Sequence, residues 1–259
     1  MNVEVREHLA HFVSEYQTID IYDTEVFGKV LFLDGHVQLS SFDEAAYHEC
    51  LVQIPMLSMD APTSALVVGG GDGGVLRELV KHPTLERIDM VEIDRGVIEV
   101  CREHLPELSA GAFDDPRVNL LIGDAFPFVK EASGPYDLIV MDSTDTYEDE
   151  QGALSEQLFT ADFYRDILRI LADDGIVVTQ ADNLVFCPYS LETILWTWKD
   201  LFPKTGSYFG LIPSFGGYSG YAWASKGTEP KKEFPAHSLP LHYLNEATYN
   251  LAFTQLAFS

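Results

Sequence analysis

Acidic residues follow four successive apolar segments in the middle of the sequence, where they could bind a cation or accept a proton. They are Asp72, then Glu92 with Asp94, then Asp124, then Asp142 with Asp145. The carboxyl ends of strands in an open α/β sheet border its ligand crevice, so we expect these groups to share one site. Each acid alone could equally be a helix cap or a turn residue. Four in succession would repel one another unless a cationic or hydroxyl-rich ligand lay among them.

The first of these acids lies in a glycine-rich loop, VVGGGDGGVLREL, at residues 67–79. Gly69, Gly71 and Gly74 match the G-x-G-x-x-G pattern between an apolar strand and a helix. Glu92 follows about 20 residues later, where a Rossmann site places the acid that binds ribose hydroxyls. The spacing therefore predicts a nucleoside site.

Asp72 indicates which kind of nucleoside. A carboxylate would repel the pyrophosphate that a dinucleotide places at the helix N-terminus, whereas it would attract an amino or sulfonium group. We therefore predict a cationic nucleoside of the S-adenosylmethionine type and no prosthetic group, with Asp124 near the adenine amine.

The pair Asp142 and Asp145, in the segment MDSTD, indicates the chemistry. A methyl transfer to a neutral substrate does not need two carboxylates, but an attacking amine does. An alkylamine, with a pKa of about 10, arrives protonated and must lose that proton before it attacks. A carboxylate can bind the ammonium and accept the proton, while positioning and desolvation supply most of the acceleration.

From Ser64 onward, the segments that must position these acids alternate between strand-like and helix-like patterns. Apolar strands followed by amphipathic helices predict a Rossmann-like α/β fold with a doubly wound sheet of the class I methyltransferase type. Residues 16–41 show short alternating segments and predict a small N-terminal antiparallel β unit, followed by a helix from residue 42. A last antiparallel pair should turn at Gly216–Gly217. We expect two units, a β domain at 1–41 and a catalytic domain at 42–259.

The overall composition narrows the possible partners. Among 259 residues, 41 acids and 16 bases give a formal net charge of −25, which disfavours nucleic acid and anionic membranes as partners. The acids could solvate the surface, as in a halophilic protein, or line a site for a polycation. No apolar run approaches the ~20 residues of a membrane span, and the charged N-terminus does not look like a secretory signal. Three scattered cysteines give no metal-ligand spacing, and we predict a cytoplasmic protein without a metal site.

A series of motifs resembles the polyamine aminopropyltransferase (spermidine synthase) family from about Tyr16 to the C-terminus. The matching motifs, in chain order, are YQ (16–17), LDGHVQ (33–38), DEAAYHE (43–49), GGGDGGVLRELVKHP (69–83), VEID (91–94), GDA (123–125), DSTD (142–145), LF (158–159) and IPSF…G (212–220). The resemblance implies transfer of the aminopropyl group of decarboxylated S-adenosylmethionine, as co-substrate, to a polyamine acceptor. Putrescine is the expected acceptor, giving spermidine and 5′-methylthioadenosine.

The resemblance also implies roles for individual residues. Asp142 would accept the proton and, with Tyr47, form the catalytic pair. The implied amine-binding residues are Gln38, Tyr47, Asp142, Asp145, Gln180 and Phe215. The implied donor-binding residues are Gln17, His48, Gly69, Gly71, Asp72, Glu92, Asp124 and Ala125. His48 could instead be a hydrogen-bonded helix histidine, and Gln38 and Tyr47 could be packing or turn residues.

The sequence departs from the family pattern on the acceptor side. The gate after Asp145 is longer than usual, lacks both prolines, and carries the acids Glu148, Asp149 and Glu150. Phe215 stands where the family has a tyrosine. The N-terminal β unit looks truncated, and it often contributes subunit contacts, so a homodimer and a homotetramer are both expected possibilities.

Three other functions remain open from the sequence. The acceptor could be a longer or guanidinylated amine, such as spermidine or agmatine. The protein could be an S-adenosylmethionine-dependent methyltransferase, which Asp72 and the MDSTD acids disfavour. It could also be a non-catalytic polyamine- or nucleoside-binding protein, which the altered gate would permit.

Overall fold

Two β-sheets organise the chain in the computed structural model, which describes residues 3–143 and 160–256. A four-stranded antiparallel sheet precedes a seven-stranded mixed sheet. The α/β fold with a small N-terminal antiparallel sheet was predicted correctly from the alternation of the sequence.

The N-terminal sheet has the strand order β1-β2-β3-β4. Its strands are β1 (Val5–Val13), β2 (Thr18–Thr24), β3 (Gly28–Leu33) and β4 (His36–Ser40). The sequence predicted strands only from residue 16 and missed β1. This strand is largely exposed and has two register irregularities against β2, so it lacks the clean two-residue alternation of a half-buried strand.

The main sheet has the order β10-β11-β9-β8-β5-β6-β7. Its strands are β5 (Ser64–Gly69), β6 (Arg87–Glu92), β7 (Val118–Ile122), β8 (Tyr136–Asp142), β9 (Leu171–Asn183), β10 (Lys204–Ile212) and β11 (Gly217–Ser225). Strands β5 to β9 are parallel, and β10 and β11 add an antiparallel edge. The predicted pair that turns at Gly216–Gly217 is β10 and β11.

Helices connect the strands and cover both faces of the main sheet. In the described ranges they are α1 (Glu44–Met56), α2 (Gly74–Val80), α3 (Arg95–His104), α4 (Pro106–Ser109), α5 (Ala125–Glu131), α6 (Ala161–Ile170), α7 (Pro188–Trp198) and α8 (Glu246–Ala252). Helix α3 ends at His104 and α4 begins at Pro106, because proline removes a backbone donor and disfavours a helical residue before it. None of the helices in these ranges is both apolar and long enough to span a bilayer.

Three apolar clusters hold these layers together. Two lie on opposite faces of the main sheet, around α1 with α2 and around α6 with α7. The third joins Ile19, Ile21 and Leu31 of the N-terminal sheet to Val97 and Cys101 of α3. The small sheet is therefore fixed against the helix that follows β6, close to the carboxyl edge of the main sheet.

Candidate active site

A cavity of about 650 Å³ opens at the carboxyl edge of the main sheet. It lies where β5 neighbours both β6 and β8, so that the connections leave the sheet in opposite directions, a usual position for ligands in such folds. Most of the predicted site residues line it: Gln17, Gln38, Tyr47, Gly69, Gly71, Asp72, Glu92, Asp124, Ala125, Asp142, Gln180 and Phe215. The sheet therefore brings together side chains that are far apart in the sequence.

Two predicted features cannot be placed in this cavity. Asp145 and the altered gate, with its acids Glu148, Asp149 and Glu150, lie outside the described residues. His48 is described but does not line the cavity, because the glycine-rich loop lies over it.

The glycine-rich loop folds tightly against the end of β8. Gly69 has a φ of +84°, and a Cβ there would overlap the backbone carbonyl oxygen of Asp142. Gly70 N–H donates a 2.9 Å hydrogen bond to the same oxygen. The absence of side chains therefore allows the loop to pack directly on the backbone of Asp142, which brings the carboxylates of Asp72 and Asp142 to one end of the cavity.

Asp72 is held at the start of α2 by a chain of charges. Its Oδ1 accepts a 2.6 Å hydrogen bond from Gly74 N–H and lies 3.2 Å from Nε2 of His48. The other ring nitrogen, Nδ1, lies 2.7 Å from Oε2 of Glu44, which also accepts a 2.8 Å bond from Arg77. Positive and negative charges thus alternate from the helix surface to the cavity, in the order Arg77, Glu44, His48, Asp72.

Charge alternation shifts the pKa values along this chain. Burial alone would lower the pKa of His48, but the carboxylates of Asp72 and Glu44 outweigh it and raise the pKa to about 10. Burial would raise the pKa of Asp72, but the His48 charge and the Gly74 N–H lower it below its usual value. His48 is therefore an imidazolium that keeps Asp72 ionised.

This arrangement changes the interpretation of His48. The family resemblance implied direct contact with the donor, but its side chain is completely buried beneath Gly74, where a Cβ would overlap the imidazole ring. In the structure it contacts two residues that line the cavity: its Nε2 lies 3.2 Å from Asp72, and its ring centroid lies 5.2 Å from that of Tyr47. The structure thus supports a positioning role, close to the hydrogen-bonded helix histidine that the sequence left open.

Asp142 has a different environment at the end of β8. Burial, with the nearby charge of Asp72, raises its pKa to about 6 against the opposing effects of His48 and of a hydrogen bond from Tyr47. That bond, from Tyr47 Oη to Asp142 Oδ1, is 2.6 Å long. The site therefore contains two carboxyl groups with separated pKa values, which is typical of catalytic sites where one acid binds charge and the other moves a proton.

Aromatic contacts fix Tyr47 on α1. Its ring packs edge-on against Phe215 at a centroid distance of 5.8 Å, and its backbone oxygen accepts a 3.2 Å hydrogen bond from Tyr221 Oη. The turn that carries Phe215 is fixed by Asp43, which accepts bonds of 2.7 and 2.8 Å from the N–H and Oγ of Ser214. The sequence singled out Tyr47 and Phe215 but missed the Asp43–Ser214 link, which joins segments 171 residues apart.

Glu92 lies on the other side of the glycine loop. It is buried, which raises its pKa to about 7 despite a 2.8 Å hydrogen bond from Asp94 N–H. A Cβ at Gly71 would lie 3.1 Å from Glu92 Oε2, so the glycine leaves room beside the carboxylate. Such a carboxyl group can bind a pair of hydroxyls, and the ribose site that its spacing predicted stays a prediction.

The neighbouring acid Asp94 has a structural role. One oxygen caps α3 by accepting from Gly96 N–H at 2.8 Å, and the other accepts from Ser14 Oγ at 2.6 Å and Gln17 Nε2 at 3.0 Å. This network fixes the turn between β1 and β2, which brings Tyr16 and Gln17 to the cavity wall. Ser14 was not predicted, because the contact joins positions 80 apart in the sequence.

Asp124 is both a helix cap and a residue of the cavity wall, and the sequence allowed either position. It caps α5, accepting a 2.9 Å hydrogen bond from Phe126 N–H, and it lines the cavity beside Ala125. Capping occupies one oxygen of the carboxylate, so a ligand amine would approach the remaining acceptor groups at this edge.

The cavity wall also contains an acid that the sequence did not single out. Asp182 has a φ of +59° and lines the cavity, and its N–H donates a 2.9 Å bond to Gln180 Oε1. Gln180 Nε2 reaches the backbone oxygen of Ser143 at 3.3 Å, and Gln38 Nε2 reaches that of His36 at 3.4 Å. The left-handed backbone at Asp182 was not predicted, because an aspartate in the segment QADN is interpreted as part of the strand.

Known proteins resemble this chain along most of its length. A family model described as "Spermine/spermidine synthase domain" matches residues 44–234, and one described as "Spermidine synthase tetramerisation domain" matches residues 1–41. Proteins named polyamine aminopropyltransferase include one from Clostridium tetani, 38% identical over 93% of this chain and 84% of its own length. Another, from Pyrobaculum calidifontis, is 46% identical over 78% of this chain and 70% of its own length.

Solved structures of spermidine synthases share the fold of most of this chain. The enzyme from Thermotoga maritima superposes with a TM-score of 0.89 at 31% identity, covering 98% of this chain and 86% of that one. A spermidine synthase in complex with the transition-state analogue AdoDATO superposes with a TM-score of 0.90, also at 31% identity, covering 98% of this chain and 87% of that one. The chain therefore belongs to the spermine/spermidine synthase family and is an aminopropyltransferase.

Proposed function

We propose that this enzyme transfers the aminopropyl group of decarboxylated S-adenosylmethionine to putrescine, giving spermidine and 5′-methylthioadenosine. The observation that carries the proposal is the pair of carboxylates at the end of β5 and β8. Asp72 is kept ionised by His48, and Asp142 has a raised pKa beside it. A cation site and a proton acceptor thus lie together in one cavity.

The donor would lie along the glycine-rich loop. Asp72 would bind the ammonium end of its propylamine chain, and Glu92 the ribose hydroxyls. Asp124 and Ala125 would face the adenine, while Gln17, Gly69 and Gly71 complete the wall. A relative with the same fold was solved in complex with the transition-state analogue AdoDATO, which supports a binding site for the reacting molecules within this fold.

Asp142 would accept the proton of the attacking amine. An ordinary aspartate, with a pKa near 3.8, is mismatched with an alkylammonium of pKa about 10. The pKa of about 6 at Asp142 narrows this gap, and the Tyr47 hydroxyl fixes the carboxylate that receives the proton. Proton transfer is most effective when the two pKa values approach each other, so burial of Asp142 favours catalysis.

The reaction is a direct displacement. The amine nitrogen, once its proton has passed to Asp142, forms a bond to the propyl carbon next to the sulfonium. The carbon–sulfur bond breaks, and its electron pair neutralises the sulfur, which leaves as a thioether. Asp72 would hold the far end of the propyl chain so that nitrogen, carbon and sulfur lie in line.

A methyltransferase is disfavoured by the same acids. S-adenosylmethionine carries a carboxylate beside its amino group, and the charge of Asp72 would repel it. The decarboxylated form presents only the ammonium. Direct competition between the two nucleosides, measured by calorimetry, should therefore give much tighter binding of the decarboxylated one.

The acceptor would lie between β8 and the turn before β11. Gln38, Tyr47, Gln180, Phe215 and Asp145 are the residues that we assign to it. Phe215 offers an apolar edge rather than a hydroxyl, which suits the methylene chain of a diamine. The alternatives retained are spermidine and agmatine, and the altered gate is the region most relevant to that choice.

The experiment is to incubate the purified protein with decarboxylated S-adenosylmethionine and one amine at a time. The panel contains putrescine, cadaverine, agmatine, spermidine and no amine, and the readout is release of methylthioadenosine. The proposal predicts the highest kcat/KM with putrescine. A clear preference for agmatine or spermidine would correct the acceptor, and no release with any amine would overturn the proposal.

We further infer two units within the chain, a β domain at 1–41 and a catalytic domain at 42–259, assembled as a homo-oligomer. The match of residues 1–41 to a model described as a tetramerisation domain supports a homotetramer over a homodimer. Light scattering of the purified protein measures the assembled mass directly. A mass of one chain would contradict the inference.

A further inference from the structure

A cluster of two histidines and one aspartate lies on the N-terminal sheet, away from the cavity. His8 Nε2 and His11 Nδ1 each lie 2.8 Å from the same oxygen, Oδ1 of Asp20. In the part of the chain that the structure describes, only one other group of three potential ligands converges so closely, and that group belongs to the active site. None of the three residues lines the cavity.

A β-bulge brings these residues to one face. Residues three apart on a regular strand point to opposite faces, so His8 and His11 should diverge. In the register with β2, however, His8 pairs with Tyr22, Ala10 with Ile21, and His11 with Asp20. Leu9 is thus an extra residue in β1 that has no partner position in β2. Because of it, His11 points to the same face of the sheet as His8.

That face is opposite to the one that packs on the catalytic domain. Ile19 and Ile21 alternate with Asp20 along β2 and are completely buried against α3. The side chains of His8 and His11 are 42% and 57% exposed, and that of Asp20 is 14% exposed. In the single chain, an ion can therefore reach the cluster from solvent.

The ring of His8 is oriented before any ion arrives. His8 stacks on Tyr22 with a centroid distance of 4.3 Å and an interplanar angle of 15°, and Tyr22 is held by the edge of Phe32 at 5.5 Å. Stacking limits the rotation of the His8 ring while its Nε2 faces Asp20. Bulges near such clusters re-aim side chains, and oriented ligands lose less entropy on binding.

We propose that His8, His11 and Asp20 form a binding site for Zn²⁺, with water completing the coordination. Two imidazole nitrogens and a carboxylate oxygen are a donor set that Zn²⁺ takes readily, and Mg²⁺ and Ca²⁺ prefer all-oxygen sites. Bonds of about 2.0–2.1 Å in a tetrahedral site require ligand atoms about 3.3 Å apart, so Asp20 Oδ1 would move about 0.5 Å away from each histidine nitrogen when the ion binds.

Binding of Zn²⁺ would cross-link β1 and β2. Because His8 and His11 belong to β1 and Asp20 to β2, the ion would join the two strands whose turn carries Tyr16 and Gln17 to the cavity wall. Zn²⁺ that binds the folded chain should raise Tm in proportion to the logarithm of its concentration. It should leave turnover nearly unchanged, because the three residues are outside the cavity.

The test uses untagged protein, stripped with a chelator and titrated with Zn²⁺ by calorimetry in excess Mg²⁺, which occupies non-specific acidic sites. One Zn²⁺ per chain is expected, and Co²⁺ should give the visible absorption of a low-coordinate site. The double variant with His8→Gln and His11→Gln, and separately Asp20→Asn, should each weaken Zn²⁺ binding by at least about tenfold.

Two matched controls separate this site from the general acidity of the protein. His104→Gln removes another partly exposed histidine that lies beside a carboxylate, Glu103, at 3.8 Å. Asp23→Asn removes a carboxylate from the same strand as Asp20. Both controls should bind Zn²⁺ like the wild type. Absence of stoichiometric binding, or equal losses in the control and site variants, would overturn the proposal.

Discussion

The hydroxyl of Tyr47, on the helix after the small N-terminal sheet, donates a 2.6 Å hydrogen bond to Asp142 at the end of β8. This bond joins the two parts of the proposed catalytic pair across 95 positions of the sequence. It stabilises the ionised form of Asp142, whereas burial and the charge of Asp72 disfavour that form. The balance sets a pKa of about 6.

Tyr47→Phe should therefore raise the pKa of Asp142 above about 6 and lower kcat by about 10–100-fold. The acidic limb of the profile of kcat/KM against pH should move to higher pH, because the ionised form loses a hydrogen bond. Tyr221→Phe is the matched control, since its hydroxyl bonds only the backbone oxygen of Tyr47 among the contacts described. An acidic limb that moves to lower pH, or equal effects of both variants, would contradict this account of the pair.

Gly69→Ala should impair the protein more than Gly111→Ala, although the two glycines have nearly the same φ, +84° and +86°. Alanine at either position has an unfavourable left-handed backbone, at a cost of about 1 kcal/mol. At Gly69 the added Cβ also overlaps the carbonyl oxygen of Asp142, whereas at Gly111 it meets nothing within 4 Å.

We expect a further loss of about 1–3 kcal/mol in the free energy of unfolding for the Gly69 variant. A lower kcat should accompany it, because the backbone of Asp142 must shift. Thermal unfolding and steady-state kinetics of both variants measure the difference. Equal losses in the two would show that the close approach of the loop to β8 is unimportant.

His48→Gln should change the pH dependence of stability. The pKa of His48 is about 10 in the folded protein and near 6.5 when unfolded. Its contribution to stability is therefore fully present below pH 6.5 and is lost as pH rises towards 10. The difference in Tm between wild type and variant should shrink over this range. A constant difference would mean that His48 is not an imidazolium in the fold.

The same variant should weaken donor binding, because Asp72 loses the cation that keeps it ionised. KM for decarboxylated S-adenosylmethionine should rise more than KM for putrescine. That difference separates a positioning role at the donor from a general structural loss, which would affect both substrates alike.

Asp142→Asn should stabilise the protein while removing its proposed proton acceptor. A carboxyl group whose folded pKa is raised from 3.8 to about 6 favours the folded state at low pH, and that contribution is lost as pH rises through 6. Asparagine has no charge to bury, so at pH 8 the variant should gain about 1–3 kcal/mol. The gain should be smaller at pH 5. A gain that does not vary with pH would contradict the assigned pKa.

The sequence predicted the sheet and the cavity wall because their signals are local. Each strand end carries its own acid or glycine, and the parallel topology brings these ends together whatever the details of packing. Asp72 could be distinguished from a phosphate-binding residue by charge alone. Twelve of the predicted residues thus line one cavity.

The partnerships between those residues could not be predicted in the same way. His48 was expected at the donor but lies under Gly74, because whether a helix residue faces the cavity or the loop behind it depends on how α1 packs on α2. The contacts from Ser14 to Asp94 and from Asp43 to Ser214 join distant segments. Nothing in the sequence around one residue of such a pair indicates which residue is its partner.

The two histidines of β1 are another feature that could not be predicted from the sequence. Their spacing of three indicates opposite faces of a strand, and only the bulge at Leu9 brings them together. A bulge adds one residue without a characteristic sequence here, so the sequence indicated neither the strand nor the cluster.

The most direct test of the central claim is single-turnover transfer by Asp142→Asn with bound donor and putrescine. The account predicts that turnover falls by at least about 100-fold while the Kd for decarboxylated S-adenosylmethionine changes little, because Asp72 and His48 keep the donor site intact. Turnover near that of the wild type would show that Asp142 is not the proton acceptor and would contradict the account.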